Sequence, residues 1–297
     1  MVISFFKLRK AFYFVSAFAV LLSVFTIAFL KLNFSIEFTG GTVWEIEYLE
    51  NRPEIEILKE KLSSFNLGKI EIQPVGENRI TLKTKEITQE IKEKILESFN
   101  QFGKVREIQF EKISPSISKE LKEKSLFITI FSILAIAIYI TLAFKNLSSV
   151  IPPFQCALGV IICVLHDLIL PLGIFSLLGK FYGAQISIPV VIAFLTIAGY
   201  SINNIVVVYD RIREIVQKFP KKPLHEVVDI ALNQTLSRQI NTSLTTLFPL
   251  ISIFLIIGEA LKYFSLVLIL GILIGTYSSI FLAGPILVSL RETIKNK

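Results

Sequence analysis

Charge is scarce in this chain of 297 residues: 19% of the residues are charged, whereas 53% are hydrophobic and 25 are Phe. No soluble domain of this length needs so much apolar side chain for its core, so an ordinary cytosolic enzyme is excluded and lipid is the environment that takes the excess. Cysteine is nearly absent as well. Cys156 and Cys163 stand in one apolar run, form neither a disulfide framework nor a metal spacing, and read as buried filler. No catalytic residue, metal or cofactor is expected. What remains is an integral membrane protein with a formal net charge of +7, and the location of those charges matters more than their sum.

A helix needs roughly 20 apolar residues to cross a hydrocarbon core of about 30 Å. Six segments meet this need, at about 11–30, 125–144, 150–178, 187–209, 239–258 and 263–288. The first follows Lys7, Arg9 and Lys10 but is too long for a signal-peptide core and ends without a small-residue cleavage site, so it reads as an uncleaved anchor. The third contains Pro152, Pro153 and Pro171, which predict an interfacial first turn and a kink. Residues 33–124 hold 15 basic and 17 acidic residues, which leaves 16 basic and 7 acidic elsewhere. With the N-terminus inside, residues 7–10, Lys145, the 211–238 loop and the tail are cytoplasmic, and only Lys31, Lys180 and Lys262 among the short flanks fall outside. The expected organisation is a cytoplasmic N-terminus and first helix (1–31), an extracytoplasmic domain (32–124), five further helices (125–290) and a cytoplasmic tail (291–297). The basic excess therefore records topology in a multi-pass cell inner-membrane protein and is no nucleic-acid footprint.

The outer segment is organised by period. Thr42–Tyr48 alternates as a strand, Pro53–Phe65 repeats at helical spacing, and Ile70–Val75 and Arg79–Thr84 alternate around Gly76-Glu77-Asn78. Thr88–Phe102 is amphipathic with Thr88 as N-cap, and Arg106–Ile113 alternates again. The order β-α-β-β-α-β is the ferredoxin-like pattern, with two helices on one face of a four-stranded sheet. The segment has no His, Cys, nucleophile elbow or P-loop, so a binding or pushing surface is expected and not an active site.

Polar side chains within the apolar segments are the functional candidates, because lipid makes them costly. In the third segment His166 and Asp167 are adjacent, and side chains at i and i+1 diverge by about 100°, so the two are not expected to face one partner. A proton relay and a structural pair are both open. The fourth carries a stripe of Thr196, Tyr200 and Asn203/Asn204, and the fifth a stripe of Arg238, Asn241/Thr242 and Thr245. The two stripes could meet as walls of a hydrated path or act as interhelical glue worth about 0.6 kcal/mol per contact. Gly271, Gly275, Ser279 and Ala283 form a small-residue stripe for close helix packing. Gly40 and Gly41 serve a chain reversal between membrane and strand. The 211–239 loop, with Pro220, Pro223 and an amphipathic stretch from Leu224 to Leu236, is expected to lie on the membrane surface, its Arg211, Arg213, Lys218, Lys221 and Lys222 near anionic lipid.

Several motifs in this order resemble one family. They are Phe38-Thr39-Gly40-Gly41 beyond the first helix, Leu165-His166-Asp167 in the third, Gly199-Tyr200-Ser201-Ile202-Asn203 running to Val208–Arg213 in the fourth, Leu236-Ser237-Arg238 with Asn241–Thr246 in the fifth, and Gly275–Ser279 in the sixth. On these the chain resembles the SecF family over nearly its full length. The resemblance implies an α-helical membrane protein with six transmembrane helices of the resistance-nodulation-division type and an inserted α+β ferredoxin-like extracytoplasmic domain. It also implies pairing with SecD, work beside the SecYEG channel with YajC as a further partner, and contact with unfolded preprotein and membrane lipid. In the family, proton flow is thought to move the outer domains. Carried over, Arg238 matches the charged gate residue, and Tyr200, Ser201 and Asn203 match an element facing SecD.

The chain departs from the pattern where Asn204 replaces the family's usual Asp, since an amide does not exchange protons near neutral pH. Asp167 could take over, a SecD acid could carry the load opposite Arg238, or the chain could be weakly coupled or driven by something else; the second account is preferred. Ser35-Ile36-Glu37 also stands where the family tends to have Gly-x-Asp. A passive scaffold and a lipid or small-molecule half-transporter of the same superfamily are the alternatives to a proton-coupled export subunit.

Overall fold

The computed structural model describes residues 4–65, 67, 70–145, 151–256 and 259–295. Positions 150, 257, 258, 296 and 297 of the expected segments and tail lie outside the described residues. The chain divides into two units, Phe34–Leu126 and Met1–Asn33 with Phe127–Lys297.

The smaller unit follows α1 (Arg9–Leu30) of the larger unit in the chain and opens with a single helical turn, α2 (Ile36–Thr39). It continues β1 (Gly41–Tyr48), α3 (Ile55–Ser63), β2 (Glu71–Val75), β3 (Arg79–Thr84), α4 (Gln89–Asn100) and β4 (Val105–Ile113). The sheet order is β2-β3-β1-β4 with every neighbour antiparallel, so β1-α3-β2 is a split crossover with β3 inserted between its strands. The expected element order is observed. Period explains which face is covered: Trp44, Ile46 and Tyr48 of β1 and Ile80 and Leu82 of β3 point one way and bury against Leu58 and Leu62 of α3 and Ile95 and Phe99 of α4. The Thr88 hydroxyl accepts the Ile91 N–H as the cap of α4. Lys92 covers the edge of this core, its Nζ 4.0 Å from the Phe110 ring centre and 2.7 Å from Glu107. The opposite face is polar, with Arg79 paired to Glu45 and Glu47. One irregularity falls between Glu45 and Ile46, where Ile108 is the extra residue of β4. Gly41 is required where β1 begins: φ is +136° and a Cβ would stand 2.5 Å from the Thr84 carbonyl oxygen.

The larger unit is helical. It comprises α1, the part of α5 (Pro115–Ala143) beyond Leu126, α6 (Pro153–Tyr182), α7 (Ile188–Lys218), α8 (Leu224–Ile256), α9 (Glu259–Phe281) and α10 (Ala283–Lys295). Six of these helices are long and apolar enough to cross a membrane. Small residues decide the close approaches. A Cβ on Gly173 of α6 would meet the Ser23 Cβ of α1 at 2.4 Å, and the Ser176 hydroxyl donates to the carbonyls of Thr26 and Lys31. α10 packs on α8, where Gly284 leaves room for Val228.

Two expectations about this unit are corrected. The stretch Leu224–Leu236 is no separate surface helix but the first turns of α8, with Val227, Val228, Ala231 and Leu232 fully buried, because its apolar stripe has a protein partner in α10. The sixth segment does not run through to residue 288: the helix breaks at Leu282, and Ala283–Lys295 is a separate amphipathic helix. Residues 291–295 are accordingly helical.

Candidate functional site

Asp167 lies near the middle of α6, roughly 20 Å from either helix end, and is completely buried. Its Oδ2 accepts from the Ser201 hydroxyl of α7 at 2.5 Å and from the Ser278 hydroxyl of α9 at 2.6 Å. Its Oδ1 lies 2.8 Å from Nδ1 of His166. The expectation that adjacent side chains point apart is corrected: rotamers of His166 and Asp167 close the angular gap, and the two groups bond to each other. Three helices thus converge on one carboxylate. Gly275 of α9 makes room for it, since a Cβ there would stand 3.5 Å from Oδ2. The His166 ring stacks on Tyr277, whose hydroxyl lies 3.1 Å from the Ser16 hydroxyl of α1. The other ring nitrogen, Nε2, is buried without a partner.

The remaining candidates of α7 and α8 separate into an inner and an outer set. Tyr200 donates to Ser243 at 3.2 Å, and Ser243 is 2.6 Å from Thr276 of α9. Gln239 bonds Ser279 of α9 at 2.5 Å through Oε1, so the inward polar face of α8 is Thr235, Gln239 and Ser243, spaced by fours. In the sequence the charge of Arg238 marks the other stripe of α8, and the spacing of four at 235, 239 and 243 is the signal that marks this one. Ser278 has no sequence signal beyond its place in the Gly275–Ser279 motif. Arg238, Asn241 and Thr245 face outward and are exposed, and Thr242 is half-buried with its hydroxyl on the Arg238 carbonyl. Among the described residues Arg238 makes no ion pair. On α7, Thr196, Gly199 and Asn203 are exposed on one stripe, whereas Asn204 is buried with its Nδ2 unpartnered. The two expected stripes therefore do not meet inside this unit; their outer residues stay open to its surroundings.

Of the small residues, Gly271 meets Ile197 of α7, Gly275 meets the carboxylate, and Ser279 reaches Gln239 of α8. The Phe38–Gly41 motif forms α2 and its exit: Phe38 is buried, the Thr39 hydroxyl donates to the Ser35 carbonyl, and Gly40 has φ +72°. The Ser35 hydroxyl bonds the Glu37 carboxylate, which closes the turn without a glycine at 35.

Six span-length helices with a carboxylate held at mid-span, and an inserted split βαβ unit, define a multi-pass membrane protein. A family model described as "Protein export membrane protein SecD/SecF, C-terminal" matches residues 91–293. The chain is 33% identical to the protein translocase subunit SecF of Thermobaculum terrenum, over 95% of this chain and 92% of that protein. It is also 33% identical to the SecF of Rickettsia felis, over 99% and 93%. The chain belongs to the SecF family, whose members bear the name of translocase subunits and not of enzymes. Among solved structures it is similar to SecDF of Thermus thermophilus, described as a translocon-associated membrane protein, with a TM-score of 0.85 and 29% identity. SecDF in its super-membrane-facing form gives 0.73 at the same identity. The match covers all of this chain but 39% of the first SecDF chain and 40% of the second.

Proposed function

We propose that this chain is the SecF half of an accessory complex of the Sec translocase, pairs with a SecD half, and promotes protein export across the cell inner membrane using the proton motive force. The observation that carries the reading is the outward stripe of α8, Arg238-Asn241-Thr245, with Thr196 and Asn203 of α7. Arg238 lies about 27 Å from the Ile256 end of its helix, at one edge of a hydrocarbon core of about 30 Å, and the amides and hydroxyls lie further in. Facing lipid, Arg238 reaches the interface only by snorkelling, and the amides and hydroxyls deeper in the stripe stand in hydrocarbon without partners from another helix, which is costly. A polar partner that covers the stripe removes this cost. An acid of the SecD half opposite Arg238 supplies the proton-binding group that Asn204 cannot, and its charging and discharging against Arg238 is the gate.

In this reading residues 32–124 are extracytoplasmic and both termini cytoplasmic, a topology supported by the distribution of basic residues. The outer unit engages unfolded preprotein beside SecYEG, with YajC as a further partner, and its polar sheet face is the surface available for that contact. A passive scaffold is the second reading, favoured by Asn204 alone. Export into inverted vesicles carrying this chain and its SecD, with and without an ionophore, tests the proposal. Export that is indifferent to the gradient defeats it. Arg238→Met with normal assembly and normal gradient-driven export establishes the scaffold.

A further inference from the structure

We infer that His166 and Asp167 form a proton-loading site within this chain, at the junction of α6, α7 and α9 and apart from the outward face that carries Arg238. The inference deepens the proton-coupled reading above and rests on it for its transport assay.

The first ground is charge. Asp167 has no Lys or Arg partner among the described residues, and His166 is the ionisable group bonded to it. A fully buried carboxylate without a counter-charge costs several kcal/mol, far more than interhelical hydrogen bonds return. Three helices held by serines alone would need no acid. A dyad that takes up one proton removes that net charge.

The second ground is that the carboxyl group and Nδ1 keep the same partners in both protonation states. In the charged state Oδ2 accepts the Ser201 and Ser278 hydroxyls and Oδ1 accepts the Nδ1 proton of His166. When a proton binds Nε2, the Nδ1 proton crosses 2.8 Å to Oδ1, which leaves a neutral imidazole carrying its hydrogen on Nε2 and a neutral carboxylic acid that donates back to Nδ1. One proton has been gained, no hydrogen bond is lost, and release reverses the steps. The third ground is the unpartnered Nε2 itself, a buried ring nitrogen that is the one open valence of the dyad. The groups facing the pair are Cys163 on its own helix, Ser201 on α7, and Ser278 and Tyr277 on α9, with Ser16 of α1 behind Tyr277.

Loading has a mechanical consequence. Hydrogen bonds to a carboxylate are about twice as strong as those to a neutral acid, so protonation weakens the ties of α7 and α9 to α6 together. Ser278 has a second acceptor ready in the Gly275 carbonyl at 3.2 Å. Proton occupancy thus sets how firmly the three helices hold one another.

Asp167→Asn keeps the shape and an oxygen for the serine hydroxyls but binds no proton. The full chain with its SecD in inverted vesicles is expected to retain co-purification of the two halves and to lose the ionophore-sensitive part of export. Infrared difference spectra of the same purified complex across a pH series should contain a carboxylic-acid band that is absent in Asp167→Asn and moved in Asp167→Glu, the second variant guarding against a folding defect. His166→Gln should shift the pH at which the band appears. Wild-type ionophore sensitivity in an assembled Asp167→Asn complex, or spectra with no Asp167 band at any pH, overturns the inference. A wild-type complex that ignores the ionophore yet shows the band defeats the coupled function above and leaves the proton site standing.

Discussion

The contact between α7 and α9 can be broken by one methyl group. A Cβ added at Gly271 would stand 2.2 Å from both Cγ1 and Cδ1 of Ile197 and 2.8 Å from its Cγ2, where carbon atoms settle at about 3.5–4.0 Å. Ile197 is 1% exposed, so it cannot turn out to the surroundings. Gly271→Ala must therefore separate the helices or force an unfavourable rotamer, at a cost of about 1–3 kcal/mol for overpacking. Ile197→Ala alone opens a cavity and costs about 2–5 kcal/mol. Combined, the alanine methyl occupies part of that cavity, so the double variant should be less destabilised than the two costs added, with a coupling of about 0.5–3 kcal/mol. Thermal unfolding of the purified full chain in detergent, read as loss of the monodisperse species for all four members of the cycle, gives the coupling. The same displacement moves Ser278 away from Asp167, so gradient-dependent export should fall in Gly271→Ala and recover partly in the pair. Strict additivity of the two substitutions would refute the packing argument, as would a Gly271→Ala protein as stable as the parent.

Gly199 differs from Gly271 in that a Cβ there meets nothing within 4 Å. Gly199→Leu should leave the thermal stability of the isolated chain unchanged or slightly higher, since glycine inside a helix costs about 1 kcal/mol, yet it should abolish co-purification with SecD; a normally assembled complex would show that this stripe is no partner face. In the smaller unit Gly41→Ala places a methyl group against the Thr84 carbonyl oxygen in a backbone conformation that disfavours any side chain, so strand pairing should fail and protease cleavage within residues 34–126 should rise. Tyr48→Phe should be neutral or stabilising in the same proteolysis assay, because the hydroxyl is buried without a partner and burial already holds its ionisation well above the ordinary range. Glu90 on α4 is held below the usual carboxylate range by its hydrogen bond to Lys94, so its contribution is present above the unfolded-state value and is lost as pH falls through the depressed one. Glu90→Gln should therefore differ from the parent at neutral pH and converge with it in acid, to a small extent because both groups are fully exposed.

The smaller unit was legible almost element by element, since the central strands β1 and β3 have one buried face and each helix one apolar stripe, so period alone separates the packed side from the open one. Trp44, Ile46 and Tyr48 declare their face by alternation, and Leu58 and Leu62 by a spacing of four. The membrane unit obeys no such contrast. Lipid and protein interior are equally apolar, and a helix such as α8 carries two polar sides, Thr235-Gln239-Ser243 and Arg238-Asn241-Thr245. Periodicity finds both and ranks neither. Only the approach of α9, permitted by Gly271 and Gly275, shows that the first set lies inward. The same ambiguity hid the dyad: helical geometry separates Cβ directions at 166 and 167, but side-chain torsions, which no sequence pattern records, bring Nδ1 and Oδ1 together. Asn204 then acquires a different meaning from the one its sequence position suggested. It is buried and its Nδ2 lacks a partner, whereas Asp167 is supplied with two hydroxyls and an imidazole. Of the two positions, 167 is the one whose side chain the neighbouring helices supply with partners.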